Sequence, residues 1–360
     1  MITSDIIKVF IPATASFAVG ILCAPLLTHY LFKYKVWKKT AGKTALDGTP
    51  AVEFEKLRTT VHAGTETKTP RMGGILIWAS VTIVTLLMWA FARLFPLPFT
   101  EKLDFLSRSQ TWIPFVTLLA GSLMGFANDL LDIQSSGERG IRLRTRLLFV
   151  TLVSSFIGWW FYAPSKLGIT AIGIPTDGTL ELGILIIPLF VLITLGLYAG
   201  GVIDGIDGLS GGIFGTAFMA YAGIAYFQNQ INLAAFSATV AGAILAFLWF
   251  NIPPARFWMT ETGTMGLTMT LAVIAFLTDT PGGGYGVVAL PIIAFPLVAT
   301  VASNIIQVAS KRFFGKKVFR IAPLHHHFEA IGWPSYKVTM RYWVIAMVTA
   351  IAGMTVALIQ

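Results

Sequence analysis

Cysteine is almost missing: Cys23 stands alone among 360 residues, which excludes a disulfide framework. Charge is scarce too. Asp, Glu, Lys and Arg make up 12% of the chain and the mean hydropathy is +0.74, leaving too little polar surface to cover a water-soluble globule. Acids are rarer than bases, 17 against 26, for a net charge of +9. The bases flank apolar runs instead of gathering in a soluble patch, so nucleic acid is not an expected partner. The first residues lack a secretory signal pattern, since only Lys8 is basic and no small-residue cleavage site closes a short apolar core. No long linker or clear internal repeat breaks the chain.

What the chain does have is apolar runs of about 17 to 25 residues, long enough to cross the hydrocarbon as helices. Ten are expected, near 6–32, 72–94, 111–128, 146–164, 182–200, 209–227, 232–250, 262–279, 287–308 and 341–359. The expectation is an all-α polytopic membrane protein forming one domain over residues 1–360. Loops 33–71, 129–146, 251–261 and 309–341 carry 21 of the 26 Lys and Arg. They alternate along the chain, which places them in the cytoplasm and both termini outside. On the outer side, residues 167–181 read as a small hairpin and Asp279-Thr280-Pro281-Gly282-Gly283-Gly284 as a turn.

Chemistry-bearing residues collect on the same basic side. Three of the five histidines, His325, His326 and His327, stand together in residues 321–334. Such a cluster can be a surface metal-binding tract, but it also suits one wall of a polar active site. Acids and amides sit at helix ends nearby: Asn128, Asp129 and Asp132 after the third span, Asp204 and Asp207 in residues 201–209, and Asn251 and Glu261 around the loop before the eighth. Any one of them could be a helix cap. Four loops that each offer carboxylates or imidazoles at a membrane border, where a lone charge costs several kcal/mol, point instead to a shared site. Oxygen ligands without cysteines favour Mg²⁺ or Mn²⁺ over zinc, and lysines of loop 33–71 could meet phosphate. The reading is phosphoryl chemistry at the inner membrane surface.

Several motifs bear a specific resemblance. They are Thr69-Pro70-Arg71-Met72-Gly73-Gly74, Asp204-Gly205-Ile206-Asp207-Gly208-Leu209, Phe247-Leu248-Trp249-Phe250-Asn251 with Pro254-Ala255, and Pro323-Leu324-His325-His326-His327-Phe328-Glu329 with Gly332-Trp333-Pro334, Arg341 and Trp343. In this order, across nearly the whole chain, they resemble the phospho-N-acetylmuramoyl-pentapeptide transferase family. The resemblance implies Mg²⁺-dependent transfer of phospho-MurNAc-pentapeptide from UDP-MurNAc-pentapeptide to undecaprenyl phosphate. The products would be lipid I and UMP, made in the bacterial cytoplasmic membrane. It implies catalytic roles for Asp129, Asp204, Glu261 and the three histidines, with Glu261 and Asp129 holding the metal. Substrate contacts would come from Lys68, Thr69, Asn128, Gly205, Ile206, Asp207 and Asn251, with Trp258 stacking on uracil. Besides the bilayer and the two substrates, a second copy of the chain is an expected partner.

The chain departs from the family pattern at several of these places. Asn128 stands where the family has the first of two Asp residues, and an amide cannot act as a base. Met259-Thr260-Glu261 replaces Met-Gly-Asp. Gly201 replaces an asparagine, and Glu66 a basic residue, leaving Lys68 as the nearest lysine. These departures keep a catalytically impaired scaffold in view beside the enzyme. A GlcNAc-1-phosphate transferase is a further alternative, though the unbroken histidine triplet speaks against it. A transporter would carry its acids at mid-span, and here they lie at one face.

Overall fold

The computed structural model describes residues 2–37, 68–107, 110–134, 140–175 and 178–359. The basic stretch 38–67, with Lys38, Lys39, Lys43, Lys56 and Arg58, lies outside the described residues, as do Glu66 and Arg139. The described chain is a helical bundle with one small hairpin. Its helices are α1 (Ile2–Lys33), α2 (Ile75–Leu94), α3 (Pro98–Leu103), α4 (Trp112–Gln134), α5 (Leu143–Tyr162), α6 (Ile186–Gly200), α7 (Leu209–Phe227), α8 (Ile231–Asn251), α9 (Glu261–Leu277), α10 (Gly286–Ile293), α11 (Phe295–Phe314), α12 (Leu324–Ala330) and α13 (Ser335–Leu358).

Eight of the ten expected spans are helices of at least 18 residues apolar enough to cross a membrane. The ninth is broken: α10 and α11 meet at 68°, where Pro296 allows no regular continuation of α10. The remaining one, α9, has only 17 residues. It needs no lipid-facing length, because Thr262 through Leu277 are all buried inside the bundle. Contact with protein on every side explains why α9 tolerates Thr262, Thr264, Thr268 and Thr270. The Thr268 hydroxyl, for example, donates to the Thr264 carbonyl at 2.8 Å, the usual way such a group is satisfied in a helix.

Close helix contacts are made through glycine. A Cβ on Gly125 of α4 would lie 1.9 Å from the Glu261 carbonyl oxygen, and one on Gly121 would lie 2.8 Å from Gly266 of α9. Small residues of this kind let membrane helices pack backbone to backbone. The same device brings Gly242 of α8 against the Ala13 carbonyl of α1 and Gly212 of α7 against the Trp343 ring of α13. Away from these seams, Phe161, Phe190 and Phe276 form a ring cluster with centroids 5.0 to 5.8 Å apart, joining α5, α6 and α9.

Two boundaries differ from the sequence reading in ways that matter. Helix α4 runs to Gln134, past the expected end at 128, so Asn128, Asp129 and Asp132 sit on a helix. Helix α13 begins at Ser335, not near 341. Lys337 and Arg341 are therefore helical, and the Arg341 guanidinium lies 4.1 Å from the Trp333 ring centroid. Basic residues lower the local hydropathy without breaking the helix, since their stems lie along it and the charges reach outward.

The expected hairpin is present as β1 (Ala171–Ile174) and β2 (Gly178–Glu181), antiparallel with Ala171 opposite Glu181. Asp279 ties it down, accepting from Gly173 N at 2.6 Å and Val287 N at 2.8 Å. Burial pushes the Asp279 carboxyl up to about 6.

Candidate active site

At one end of the bundle the N-terminus of α9 meets the motif segments. Gly73 N donates to the Trp258 carbonyl at 2.7 Å, and Trp258 N donates to the Pro70 carbonyl at 2.9 Å. The segment threads this closely because Gly73 and Gly74 have no side chain. A Cβ on Gly73 would stand 2.4 Å from the Phe257 ring, and one on Gly74 2.3 Å from Gly263 N.

Thr260 is the hub. Its φ of 56° and ψ of −170° lie in a region that a β-branched residue enters only when its surroundings enforce it. Here three other segments do so. Thr260 N donates to Asp204 Oδ2 at 2.7 Å, Met72 N donates to Thr260 Oγ1 at 3.1 Å, and that hydroxyl donates to Asp129 Oδ2 at 2.6 Å. Asp204 also accepts from Ser210 Oγ at 2.6 Å, and burial raises its pKa above the ordinary carboxylate range.

Asp129 is fully buried. Besides Thr260, its Oδ2 takes Thr262 N at 2.8 Å and Thr262 Oγ1 at 2.7 Å. Its Oδ1 faces the Asn128 amide at 3.5 Å and Arg71 Nη2 at 4.0 Å. Arg71 Nη1 pairs with Asp132 at 3.0 Å, and Arg146 Nη1 with Glu261 Oε1 at 2.5 Å. Asn128 Oδ1 accepts from Ile141 N at 3.0 Å, so its amide links Asp129 to the start of α5.

Of the two expected Mg²⁺ ligands, Asp129 has one oxygen engaged by three donors, whereas Glu261 keeps Oε2 buried without a hydrogen-bond partner. An Mg²⁺ ion needs carboxylate oxygens open to it at about 2.1 Å and room for several waters. Asp129 Oδ2 takes three donors while its Oδ1 has contacts only at 3.5 and 4.0 Å, and Glu261 pairs with Arg146 through Oε1, leaving Oε2 as the acceptor such an ion could take. Among the described residues, no three of His, Cys, Asp and Glu are gathered to hold a metal.

The other expected residues fall into two groups. Asp207 and Trp258 are joined: the indole Nε1 donates to Asp207 Oδ1 at 2.9 Å, and Ala255 N donates to Oδ2 at 2.9 Å. Both Asp207 oxygens are thus engaged by the protein, and the half-buried Trp258 ring is held by its edge. Asn251 clamps the two loops, accepting from Gly208 N at 3.0 Å and donating to the Phe257 carbonyl at 2.9 Å. The turn between them needs glycine at 208, where φ is 77°.

The histidine triplet divides. A Cβ on Gly205 would lie 2.7 Å from His325 Nε2 and 2.8 Å from His326 Nε2, so these two rings close over Gly205 and the neighbouring Ile206 is buried. His326 Nδ1 is 2.7 Å from Glu329 Oε2, and Ser335 Oγ donates to Glu329 Oε1 at 2.5 Å. His327 instead accepts from Arg320 N at 3.2 Å through Nδ1. Partial burial, together with Arg320, holds its pKa below the usual imidazole value. Thr69 is half-buried and Lys68 exposed beside Pro70.

Sequence reasoning assigned no site role to Arg71, Arg146, Thr260 or Thr262. Arg71 and Arg146 count toward cytoplasmic charge in a topology reading, which hides their inward role. The signal was present in Arg142 and Arg146, which share one face at i, i+4 spacing where α5 begins. Arg71, Asp132, Arg142, Arg146 and Glu261 line a cavity of about 500 Å³, with three guanidinium groups against two carboxylates.

Comparison with known proteins agrees with the family that the motifs resemble. The pattern of glycosyl transferase family 4 matches residues 111–279. A phospho-N-acetylmuramoyl-pentapeptide-transferase of Geobacillus sp. (strain WCH70) is 33% identical over 340 residues, covering 94% of each chain. Those of Bacillus velezensis and Bacillus subtilis (strain 168) are 30% and 31% identical, again covering 94% of each chain. With this likeness over nearly its whole length, and with the motif segments gathered at one end of the bundle, the chain belongs to the phospho-N-acetylmuramoyl-pentapeptide-transferase family.

Proposed function

We propose that the chain transfers phospho-MurNAc-pentapeptide from UDP-MurNAc-pentapeptide to undecaprenyl phosphate, yielding lipid I and UMP. In this reading it is a single domain crossing the bacterial inner membrane ten times, with both termini outside and the site at the cytoplasmic face. The observation that carries it is the Thr260 hub. Residues from three motif-bearing segments far apart in sequence, Met72, Asp129 and Asp204, meet there within hydrogen-bonding distance. Two of the histidines close over the neighbouring Gly205.

In the reaction a lipid phosphate oxygen attacks the sugar-bearing phosphorus of the nucleotide. The bond from that phosphorus to the bridging oxygen breaks, and UMP leaves with the bond's electrons. No general base is required near neutral pH, because a phosphate monoester with a second pKa of about 6 is already mostly dianionic. That removes the need for the acid missing at 128. The chain's task is then orientation and charge stabilisation. Trp258, held by Asp207, offers its face to uracil. His325 and His326 border the phosphates or the sugar, and the arginines of the cavity face the phosphates.

The test is an assay of UMP release by the purified protein with UDP-MurNAc-pentapeptide and undecaprenyl phosphate. Release with UDP-GlcNAc instead would reassign the sugar. No release with either would make the chain a non-catalytic relative.

A further inference from the structure

The end of α11 and the turn after it carry a surface that the transfer chemistry does not use. Residues 311–320 include Lys311, Arg312, Lys316, Lys317 and Arg320 and no acid. All but Phe319 are exposed, Phe313 and Phe314 at 74% and 76%. The turn has a fixed shape. Gly315, at φ 65°, reverses the chain and donates its N–H to the Lys311 carbonyl at 3.2 Å, a conformation glycine takes at no steric cost. The buried Gln307 clasps the returning segment: its Oε1 accepts from Val318 N at 3.1 Å and Phe319 N at 2.9 Å, and its Nε2 donates to the Phe319 carbonyl at 2.9 Å. Ser310 Oγ donates to the Lys316 carbonyl at 2.8 Å. The aromatic pair and the bases are thus held out together on one loop.

Two observations say what covers it. The exposed apolar side chains of α11, Ile305, Ile306 and Val308 among them, lead directly into the turn, while the inner face of α11 buries Thr300, Ser303 and Gln307. A helix that is polar toward the bundle and apolar outward faces hydrocarbon. The bases begin where that outward face ends, which is headgroup level. There Lys and Arg reach phosphate while their stems and the flanking aromatics stay at the apolar boundary. We infer that the turn 311–318 seats in the headgroup layer and binds anionic phospholipid. The topology proposed above enters only in choosing the cytoplasmic leaflet, whose negative surface attracts basic segments beside a membrane helix.

The experiment places the purified full chain in detergent micelles with equal amounts of phosphatidylglycerol and phosphatidylcholine, and native mass spectrometry counts the lipids it retains. Phosphatidylglycerol should be retained in excess, and the excess should shrink as salt rises. Changing Lys311, Arg312, Lys316 and Lys317 together to Gln should lower the excess roughly tenfold or more, since each base near an anionic surface contributes about fivefold. Lys102→Gln with Lys166→Gln, at the opposite end of the bundle, should leave it as in the parent. All these side chains are exposed, and an unchanged melting temperature checks that each variant is folded. A nitroxide at Val318→Cys, with Cys23→Ser, reports depth in vesicles of the same two lipids. Oxygen should relax it more than a water-soluble nickel chelate does, and that difference should fall in the fourfold variant. Equal retention of the two lipids, an excess that survives the fourfold change, or a label relaxed by nickel alone overturns the inference. So does undecaprenyl phosphate displacing phosphatidylglycerol one for one, which would make the turn an acceptor site. Labelling of the turn from outside intact cells would refute the topology while the lipid contact stands.

Discussion

Thr260 allows a quantitative test of the hub. Its hydroxyl makes a charge-assisted bond to Asp129, typically about 1.5–3 kcal/mol, and accepts the buried Met72 N–H, whose loss of partner costs about 1–3 kcal/mol. Thr260→Val keeps the β-branched shape and the strained φ but removes both bonds, so destabilisation of about 3–5 kcal/mol is expected. Thr260→Ser keeps both bonds and loses a methyl group, worth about 1 kcal/mol at most. Thr260→Gly loses the bonds but relieves backbone strain of about 1–3 kcal/mol, while adding about 0.5–1 kcal/mol of chain entropy cost. It should fall between the other two. Unfolding in mixed micelles titrated with SDS, followed by tryptophan fluorescence, gives the order Ser, Gly, Val from mildest to most severe. Valine as mild as serine would mean the hydroxyl holds nothing. Glycine worse than valine would mean that the positive φ stores no strain.

Other expectations follow from the same geometry. Trp258→Ala should weaken UDP-substrate binding far more than lipid-acceptor binding, and Trp258→Phe should keep part of it while releasing Asp207; equal loss for both substrates would point to unfolding or to another pocket. Cysteines placed at Lys38, Arg142 and Lys316, after replacement of Cys23, should label only from the cytoplasm, and labelling from outside in intact cells would refute the topology. Asp279 has its carboxyl pushed up to about 6 by burial, so the folded chain favours its protonated form. The stability it contributes is full below the ordinary carboxylate pKa and falls as pH rises from about 4 through 6. The difference in melting temperature between the parent and Asp279→Asn should shift across that window, and a flat difference would remove the argument.

Much of the fold could be read from hydropathy alone, because helices facing lipid must be apolar over a fixed length. The two exceptions have different causes. Helix α9 is short because it is enclosed by protein, whereas α10 and α11 part at Pro296 while α11 keeps exposed apolar side chains. Within the site, residue types were legible and their partners were not. Asp207 and Trp258 stood out singly, yet nothing in a linear chain says that an indole N–H lies on that carboxylate. The histidine triplet looked uniform. One helical turn places His325 and His326 over Gly205 and sends His327 to Arg320. Arg71 and Arg146 were seen as surface charge because basic residues near helix ends usually are.

Three of the departures from the family pattern, at 128, 260 and 261, make physical sense together. An aspartate at 128 would put a second negative charge beside Asp129, at the 3.5 Å now spanned by an amide N–H. The amide supplies a donor there instead. The hydroxyl that gives Asp129 one of its three donors to Oδ2 exists only because residue 260 is threonine and not glycine. A glutamate at 261 has one more methylene than aspartate with which to reach the guanidinium on α5. Each change therefore either supplies a donor toward Asp129 or fixes Arg146 across to α5. Returning any one position to the family residue would set it against neighbours arranged for the other pattern. Asn128→Asp would crowd a second carboxylate against Asp129, Thr260→Gly would leave Met72 N unpaired, and Glu261→Asp would fall short of Arg146.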